Sequence, residues 1–222
     1  MNVLCWHQPV VALSGREPDW QELLGLWTKS WQDKGFQPRV IGMPIARLHP
    51  LFRPAYSKAR SLPTCNPVEY EAGCWIRWLA AAKIAHATQK PLLMSDSDVM
   101  NFGLKPSEFN GCKDDIVILD RDRVCCLVYL TPRGAERVVE AFMAYRPSDG
   151  CSQVSDMLFW FETFSRKLPV PPGVGLRTNI CMDYDYLKKG EEPRPKCVHF
   201  SAKSCAGGRT PKSDAVRHYG AS

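Results

Sequence analysis

Residues 91–99 read PLLMSDSDV, an apolar run of strand length that ends in two carboxylates, Asp96 and Asp98. A helical pattern over residues 69–88 precedes this run, and a helix feeding a short apolar strand is typical of α/β sheets. Ligands of open α/β sheets bind outside the carboxyl ends of the strands, so both carboxylates lie where a site is expected. Side chains alternate along a strand, so the two carboxylates would share one side and suit Mg²⁺ or Mn²⁺.

Outward from this stretch, the sequence predicts further strands and helices in alternation. The predicted strands cover residues 2–6, 39–42, 115–119, 124–130 and 197–200, with a further piece near Ile180. The predicted helices follow Pro18, Thr131-Pro132 and Ser152, where cap or first-turn residues stand. Residues 43–68 contain five prolines and are predicted to form a long loop. Neither an internal repeat nor a linker interrupts the pattern, which indicates one α/β domain.

The net charge of +6 is unevenly distributed along the 222 residues. Residues 187–222 hold eight Lys or Arg against three Asp or Glu, whereas the preceding part holds 21 against 20. We therefore expect a domain over residues 1–202 and a basic, flexible tail over residues 203–222. The tail could contact a phosphate group or simply be solvated. A nearly neutral main body argues against a nucleic-acid partner, and none is expected.

The cysteines and the apolar runs indicate the cellular environment. The ten cysteines form no C-x-x-C pair, and the adjacent Cys125 and Cys126 would point to opposite faces of a strand. Most are predicted to be reduced core residues. No run of about 18 apolar residues predicts a transmembrane segment, and the first residues do not resemble a secretory signal. These features predict a cytoplasmic protein.

Two further D-x-D sequences occur, and they differ in context. Asp120 and Asp122 lie between two predicted strands and are interpreted as part of a hairpin turn. Asp183 and Asp185 follow an apolar run, and their role stays open. Asp96 and its neighbour Asp98 are favoured as functional because an apolar strand and a helix precede them, although a plain strand-end turn is the alternative.

At this point the chain resembles a known family. The sequence Arg77-Trp78-Leu79 stands about twenty residues ahead of the D-S-D motif, and residues 198–201 read VHFS. Together with the strand-helix-strand start, these motifs resemble GT-A-type glycosyltransferases over roughly residues 2–201. The resemblance implies a single-domain, Rossmann-like α/β fold with a mixed, mostly parallel sheet flanked by helices.

The resemblance also implies a metal and nucleotide site. Asp98 would bind the divalent metal directly, and Asp96 would hold the ribose or bind the metal through water. His199 would be a further metal ligand or would contact the diphosphate. Arg77 would pair with Asp96 or with the nucleotide. A buried core histidine and a surface arginine are the alternatives for these last two side chains.

The remaining implied roles concern the nucleoside base and the acceptor. The exit of the first strand, Trp6, His7 and Gln8, would cradle the base. Asp156 would contact the acceptor or serve as general base. A general base must reach the acceptor hydroxyl from which it takes the proton. The alternative for Asp156 is a capping role at the start of a helix, where a carboxylate favours the helix dipole.

The predicted function is therefore metal-dependent transfer of a sugar, as in a hexosyltransferase. The donor would be a UDP- or GDP-sugar, the cofactor Mn²⁺ or Mg²⁺, and the acceptor a sugar, glycan or protein. One alternative is a haloacid-dehalogenase-like phosphatase, since residues 92–99 also fit an apolar strand followed by D-x-D-x-V. Another is a non-enzymatic protein that binds nucleic acid or carbohydrate.

Overall fold

In the computed structural model, helices and strands alternate along the chain. The structure describes residues 1–7, 17–148, 150–166, 169–188, 194–201 and 211–220. The strands are β1 (Asn2–Trp6), β2 (Gln37–Ile41), β3 (Leu92–Ser95), β4 (Val99–Asn101), β5 (Ile116–Asp120), β6 (Leu127–Leu130), β7 (Val174–Asp183) and β8 (Cys197–His199). The helices are α1 (Glu17–Gln32), α2 (Met43–Ala46), α3 (Phe52–Ser61), α4 (Val68–Thr88), α5 (Pro132–Ala144), α6 (Asp156–Trp160), α7 (Tyr184–Lys188) and α8 (Lys212–Gly220).

The described strands form one mixed sheet in the order β2-β1-β3-β6-β5-β7-β8-β4. Four neighbouring pairs are parallel, namely β1 with β2, β1 with β3, β5 with β7, and β7 with β8. The pairs β3 with β6, β5 with β6, and β4 with β8 are antiparallel. The predicted fold class, a mixed and mostly parallel sheet flanked by helices, is confirmed. The β5–β6 hairpin also confirms the interpretation of Asp120-Arg121-Asp122 as part of its connection.

Helix α1, predicted to follow Pro18, covers one face of the sheet with an apolar stripe. Leu23, Trp27 and Trp31 are buried against the strands. The Trp27 indole N–H donates to Ser95 Oγ at 3.2 Å, and the Trp31 indole N–H donates to the Val99 carbonyl at 3.1 Å. Both tryptophans therefore satisfy their polar atoms, and they contact the residues on either side of the D-S-D motif.

Helix α4 forms the centre of the opposite layer. Its residues Trp75, Ile76, Trp78 and Leu79 are fully buried, and it packs against α2, α3 and α5. A helix that is apolar on nearly all sides belongs in a core, which explains why α4 runs for 21 residues beneath the other helices. Its burial also fixes the position of Arg77, which points to the carboxyl ends of the strands.

The loop predicted for residues 43–68 is wrong, because this segment contains α2 and α3. Pro44 and Pro54 lie in the first turns of these two helices. Backbone N–H groups of a first turn have no partner within the helix, so proline costs little there. The prolines therefore mark helix starts instead of a continuous loop.

The expectation of a flexible tail is corrected for residues 212–220, which form α8. Ala215 and Val216 are buried against α1, and Arg217 pairs with Glu22 of that helix. Tyr219 packs against Phe102 with ring centroids 4.8 Å apart. These apolar contacts explain why a segment with a basic composition folds onto the domain. The other residues of the predicted tail, 203–210 and 221–222, lie outside the described part of the chain.

The cysteines and helix lengths agree with the sequence analysis where they are described. The nine described cysteines are all free, and Cys5, Cys125, Cys126, Cys181 and Cys197 are buried, so the interpretation as reduced core residues is confirmed for these five. None of the described helices combines the length and apolar character needed to cross a membrane.

Two glycines in helices provide a matched stability test. A Cβ at Gly134 would lie 1.9 Å from the Asp115 carbonyl oxygen, whereas a Cβ at Gly25 would meet nothing within 4 Å. We expect Gly134→Ala to lower the free energy of unfolding by about 3 kcal/mol or more, because α5 must move off β5. Gly25→Ala should raise it by about 0.5–1 kcal/mol through helix propensity. Urea unfolding measures the stability of both variants, and equal effects would contradict the close approach of Gly134 to the Asp115 carbonyl.

Candidate active site

The D-S-D motif lies at the edge of the sheet where the parallel strands end. The Asp96 N–H donates to the Cys126 carbonyl at 2.8 Å, and the Val99 N–H donates to the Asp96 carbonyl at 3.1 Å. These bonds form a tight turn that leads from β3 into β4. The neighbouring strand β1 ends at the same edge, since Cys5 is in register with Ser95. A polar turn thus sits beside the exit of the first strand, as expected for an α/β site.

Strand β8 brings His199 to Asp98 from a distant part of the sequence. His199 is in register with Val99 in the antiparallel β4–β8 pair, and the Phe200 N–H donates to the Asp98 carbonyl at 2.8 Å. The His199 Nε2 atom lies 3.4 Å from an Asp98 carboxylate oxygen. One ligand atom from each of Asp96, Asp98 and His199 lies within 4.8 Å of the others.

Asp183 lies behind His199 on the side away from Asp98. It is in register with His199 in the parallel β7–β8 pair, and its carboxylate is 3.7 Å from His199 Nδ1. A carboxylate on the second ring nitrogen orients an imidazole that faces a cation with the first. The third D-x-D sequence, whose role was open, therefore contributes its first aspartate to the site.

Arg77 is buried between two carboxylates from different parts of the chain. It forms an ion pair with Asp96, and its Nε and Nη2 atoms donate to one Asp156 oxygen at 3.1 and 2.7 Å. The guanidinium carbon also lies 4.8 Å from the centre of the Trp78 ring. The prediction that Arg77 pairs with Asp96 is confirmed, and the alternative of a surface arginine is wrong because only 6% of the residue is exposed.

Asp156 is the N-terminal residue of α6 and is 4% exposed. Besides the two bonds from Arg77, its Oδ2 atom accepts a 3.3 Å hydrogen bond from the Trp78 indole N–H. The predicted base or acceptor contact stays a prediction, and the geometry favours another role. A base must reach the acceptor hydroxyl, whereas this carboxylate faces the protein interior and holds Arg77 in place.

Lys212 of α8 reaches the site and forms an ion pair with Asp98. Lys212 belongs to the basic tail predicted from the sequence, but no sequence pattern singled out this lysine. Its signal was weak, because a lysine four residues after the Gly207-Gly208 pair has no fixed distance to the sheet. Packing of α8 on α1 is what carries the ammonium group to Asp98.

The charges of the site shift the pKa values of its members in opposite directions. Burial by itself would raise the pKa of Asp98, but the Lys212 ammonium and the His199 imidazole hold it well below its ordinary value. Burial raises the pKa of Asp96 despite the neighbouring Arg77. Burial alone would lower the pKa of His199, yet the Asp98 carboxylate raises it well above its ordinary value. Of the two carboxylates, Asp98 is therefore the more persistent anion, which suits a direct cation ligand.

The predicted base-binding residues are only partly described. Trp6 ends β1 at the same sheet edge as Asp96, and the His7 N–H donates to the Ile41 carbonyl at 2.9 Å. The ring of His7 lies 6.2 Å from that of Trp20. Gln8 lies outside the described residues. Trp6 and His7 therefore lie at the end of β1 beside the site, and their contact with a nucleoside base stays a prediction.

A divalent cation fits the donor set at this edge. Two carboxylates and one imidazole supply hard oxygen and nitrogen donors that can converge on one ion, and Asp183 supports the imidazole. The cation would replace Lys212 at Asp98, so the charge of that carboxylate would remain balanced. The residues present thus fit Mn²⁺ or Mg²⁺.

Neither a protein-family model nor a curated protein matches the sequence. Solved structures match over nearly the whole chain. A glycosyltransferase involved in glycosylation of the major capsid of PBCV-1 has a TM-score of 0.58 and 12% identity, with 98% of each chain covered. The galactosyltransferase LgtC, in complex with donor and acceptor sugar analogs, has a TM-score of 0.53 and 8% identity, covering 99% of this chain and 94% of LgtC. Mouse xyloside xylosyltransferase 1 has a TM-score of 0.55 and 8% identity, with 92% and 99% covered.

The chain has the GT-A-type fold of these glycosyltransferases. The resemblance seen in the Arg77 and D-S-D motifs is confirmed at the level of the fold. At identities of 8–12%, the similarity concerns the arrangement of strands and helices. What this chain does must be argued from its own site.

Arg77 provides a direct test of the buried charge arrangement. We expect Arg77→Met to lower the free energy of unfolding by about 3–5 kcal/mol, because it leaves the buried Asp156 and the partly buried Asp96 without their cationic partner. Lys29→Met removes an exposed pair with Asp33 and should cost less than about 1 kcal/mol. Urea unfolding compares the two, and similar losses would show that Arg77 is not the central ion-pair partner.

Proposed function

We propose that this protein is a metal-dependent glycosyltransferase that uses a nucleoside-diphosphate sugar as donor. The observation that carries the proposal is the convergence of Asp96, Asp98 and His199 at the carboxyl edge of a GT-A-type sheet. These donors come from the turn after β3 and from β8, and one ligand atom of each lies within 4.8 Å of the others. The glycosyltransferases that share the fold support sugar transfer as the class of reaction.

The residues of the site would have different roles, either as ligands of the ion or as groups that position those ligands. Asp98 and His199 would hold the divalent ion directly, and Asp96 would complete the site or hold the donor ribose. Arg77 fixes the Asp96 carboxylate, and Asp156 in turn fixes Arg77. We assign Asp156 this positioning role in preference to that of general base. The Asp183 carboxylate lies 3.7 Å from His199 Nδ1 and would support the ring on the side away from Asp98.

The chemistry follows from the charge of the departing group. The bond between the anomeric carbon and the diphosphate breaks, the acceptor oxygen bonds to that carbon, and the acceptor proton is lost to a base. Negative charge builds on the diphosphate, and a divalent ion supplies Lewis-acid stabilisation there. Lys212 would leave Asp98 when the ion binds, and its ammonium group would then be near the diphosphate. Lys212 is thus the specific candidate for the phosphate contact that the sequence predicted for basic residues of the tail.

The alternatives from the sequence are less well supported by the geometry. In a haloacid-dehalogenase-like phosphatase, Asp96 would be the nucleophile, but here its carboxylate is held by the buried Arg77 guanidinium. A nucleic-acid or carbohydrate-binding protein would not need carboxylates and an imidazole arranged around one point. Release of phosphate from simple phosphoesters, or metal-free binding of RNA, would favour these alternatives.

The D-S-D motif and the D-x-D sequence of the hairpin turn, Asp120 to Asp122, allow a matched test of the metal site. Asp98→Ala should abolish Mn²⁺ binding, measured by electron paramagnetic resonance, and lower hydrolysis of the UDP- or GDP-sugar donor by about 100-fold or more. Asp122→Ala changes an exposed carboxylate of the hairpin D-x-D and should leave both unchanged. Mn²⁺ titration and a panel of nucleotide sugars give the two readouts. Equal donor hydrolysis in Asp98→Ala and the parent protein would contradict the assignment of Asp98 to the metal site.

Lys212 and Lys196 provide a second matched pair. Each forms an ion pair with a carboxylate, Asp98 and Glu108 respectively, but only the first pair lies in the site. We expect Lys212→Met to tighten Mn²⁺ binding about tenfold, because the ammonium no longer competes for Asp98. Lys196→Met should not change it. Calorimetric titration with Mn²⁺ alone measures both, and unchanged affinity in Lys212→Met would show that the lysine does not occupy the cation position.

A further inference from the structure

A second basic segment lies within the main body of the sequence, apart from the basic residues near the C-terminal end. Residues 34–68 contain six Lys or Arg and no Asp or Glu. The segment spans β2, α2 and α3 on the flank of the domain, ahead of the helix that carries Arg77. A 35-residue stretch without a carboxylate of its own gives this flank an excess of positive charge, although the main body as a whole is nearly neutral.

The arginines of this segment lie on the surface and point outward. Arg39, Arg47, Arg53 and Arg60 are exposed. Lys58 instead turns inward, where it donates to the carbonyl groups of Met143 and Tyr145 at 2.8 and 2.7 Å. Two carboxylates from outside the segment lie beside it, namely Glu69, 3.5 Å from Arg60, and Glu136, 3.7 Å from the buried His49. Arg47 and Arg53 are therefore the strongest candidates for contact with an anionic partner.

Apolar side chains are exposed among these arginines. Leu48 and Leu51 lie in the turn between α2 and α3 and are 61% and 38% exposed. Aliphatic side chains of this size gain free energy when they leave water, and two of them within four residues form an unusual surface feature. Both leucines are flanked by the exposed guanidinium groups of Arg47 and Arg53.

Helix α3 continues the surface as a shallow groove. Phe52 and Tyr56 stack with ring centroids 5.5 Å apart, and the Arg60 guanidinium lies 5.8 Å from the Tyr56 ring centre. These residues line a groove of about 420 Å³ together with Arg53, Ser57 and Ser61. Guanidinium and hydroxyl donors beside aromatic rings suit a phosphate group attached to an apolar body.

We propose that residues 47–61, with Arg47, Leu48, Leu51, Arg53 and Arg60 at the contact, dock this protein on an anionic membrane surface. The arginines pair with lipid phosphates, and the two leucines insert at the boundary between headgroups and acyl chains. A nucleic acid would use the cations but would leave Leu48 and Leu51 in water. A lipid surface satisfies both kinds of side chain, and it requires no membrane-spanning helix. The inference is independent of the sugar-transfer proposal.

Vesicle binding tests the docking surface without any measurement of activity. The full chain is sedimented with vesicles of phosphatidylcholine alone and with vesicles that also contain phosphatidylglycerol, at low and at high salt. We expect binding to the anionic vesicles only, weakened by salt. Arg47→Ser with Arg53→Ser should weaken it by about fivefold for each arginine, from about 1 kcal/mol per cation near an anionic surface.

A control variant and an apolar variant complete the test. Lys105→Ser with Lys113→Ser removes the same charge from exposed positions outside the segment and should bind vesicles like the parent. Leu48→Ser with Leu51→Ser keeps every charge and should weaken binding about tenfold by loss of insertion. Circular dichroism confirms that each variant is folded.

Three outcomes would overturn the proposal. The first is equal sedimentation with neutral and anionic vesicles, or with neither. The second is an equal loss in the arginine variant and the Lys105/Lys113 control, which would indicate a response to total charge. The third is retention on heparin or RNA with no loss of vesicle binding in the leucine variant, which would assign the surface to a soluble polyanion.

Discussion

The buried guanidinium of Arg77 is the interaction on which the site depends. It joins the middle of α4 to the end of β3 through Asp96 and to the start of α6 through Asp156. Buried charges are tolerated only when they are paired, so these three elements must be correctly placed together. The turn that carries the D-S-D motif is thereby tied to the helix layer of α4. On the α1 side, Trp27 and Trp31 bond the Ser95 side chain and the Val99 carbonyl. The turn is therefore bonded to the core from two directions.

The outer part of the site is balanced by charges that come from distant parts of the chain. Asp98 faces His199 and the ammonium group of Lys212, which together hold its pKa low although burial by itself would raise it. Lys212 lies on α8, a short helix that contacts the domain mainly through α1. The charge of Asp98 is therefore compensated from a separate short helix, whereas the partners of Arg77 enclose it in the core.

The sequence predicted the components of the site better than their relationships. Asp96, Asp98 and His199 were selected from a strand-end motif and a late apolar strand, and the structure brings their ligand atoms together. The base role of Asp156 was implied by the resemblance to GT-A-type glycosyltransferases, and such a motif says nothing about the direction in which this side chain faces. The two helices within residues 43–68 were missed because prolines in first helical turns resemble prolines in loops.

By itself, the sequence determined the alternation of strands and helices, the apolar stripe of α1 and the D-S-D turn. These depend on local periodicity and on residues adjacent in the chain, so they can be predicted without knowing the partners. Only the tertiary structure decided that Asp183 supports His199, that Asp156 holds Arg77 and that Lys212 faces Asp98. Those pairs join residues that are separated by 16, 79 and 114 positions. Their meeting depends on strand order and helix packing, which no local pattern specifies.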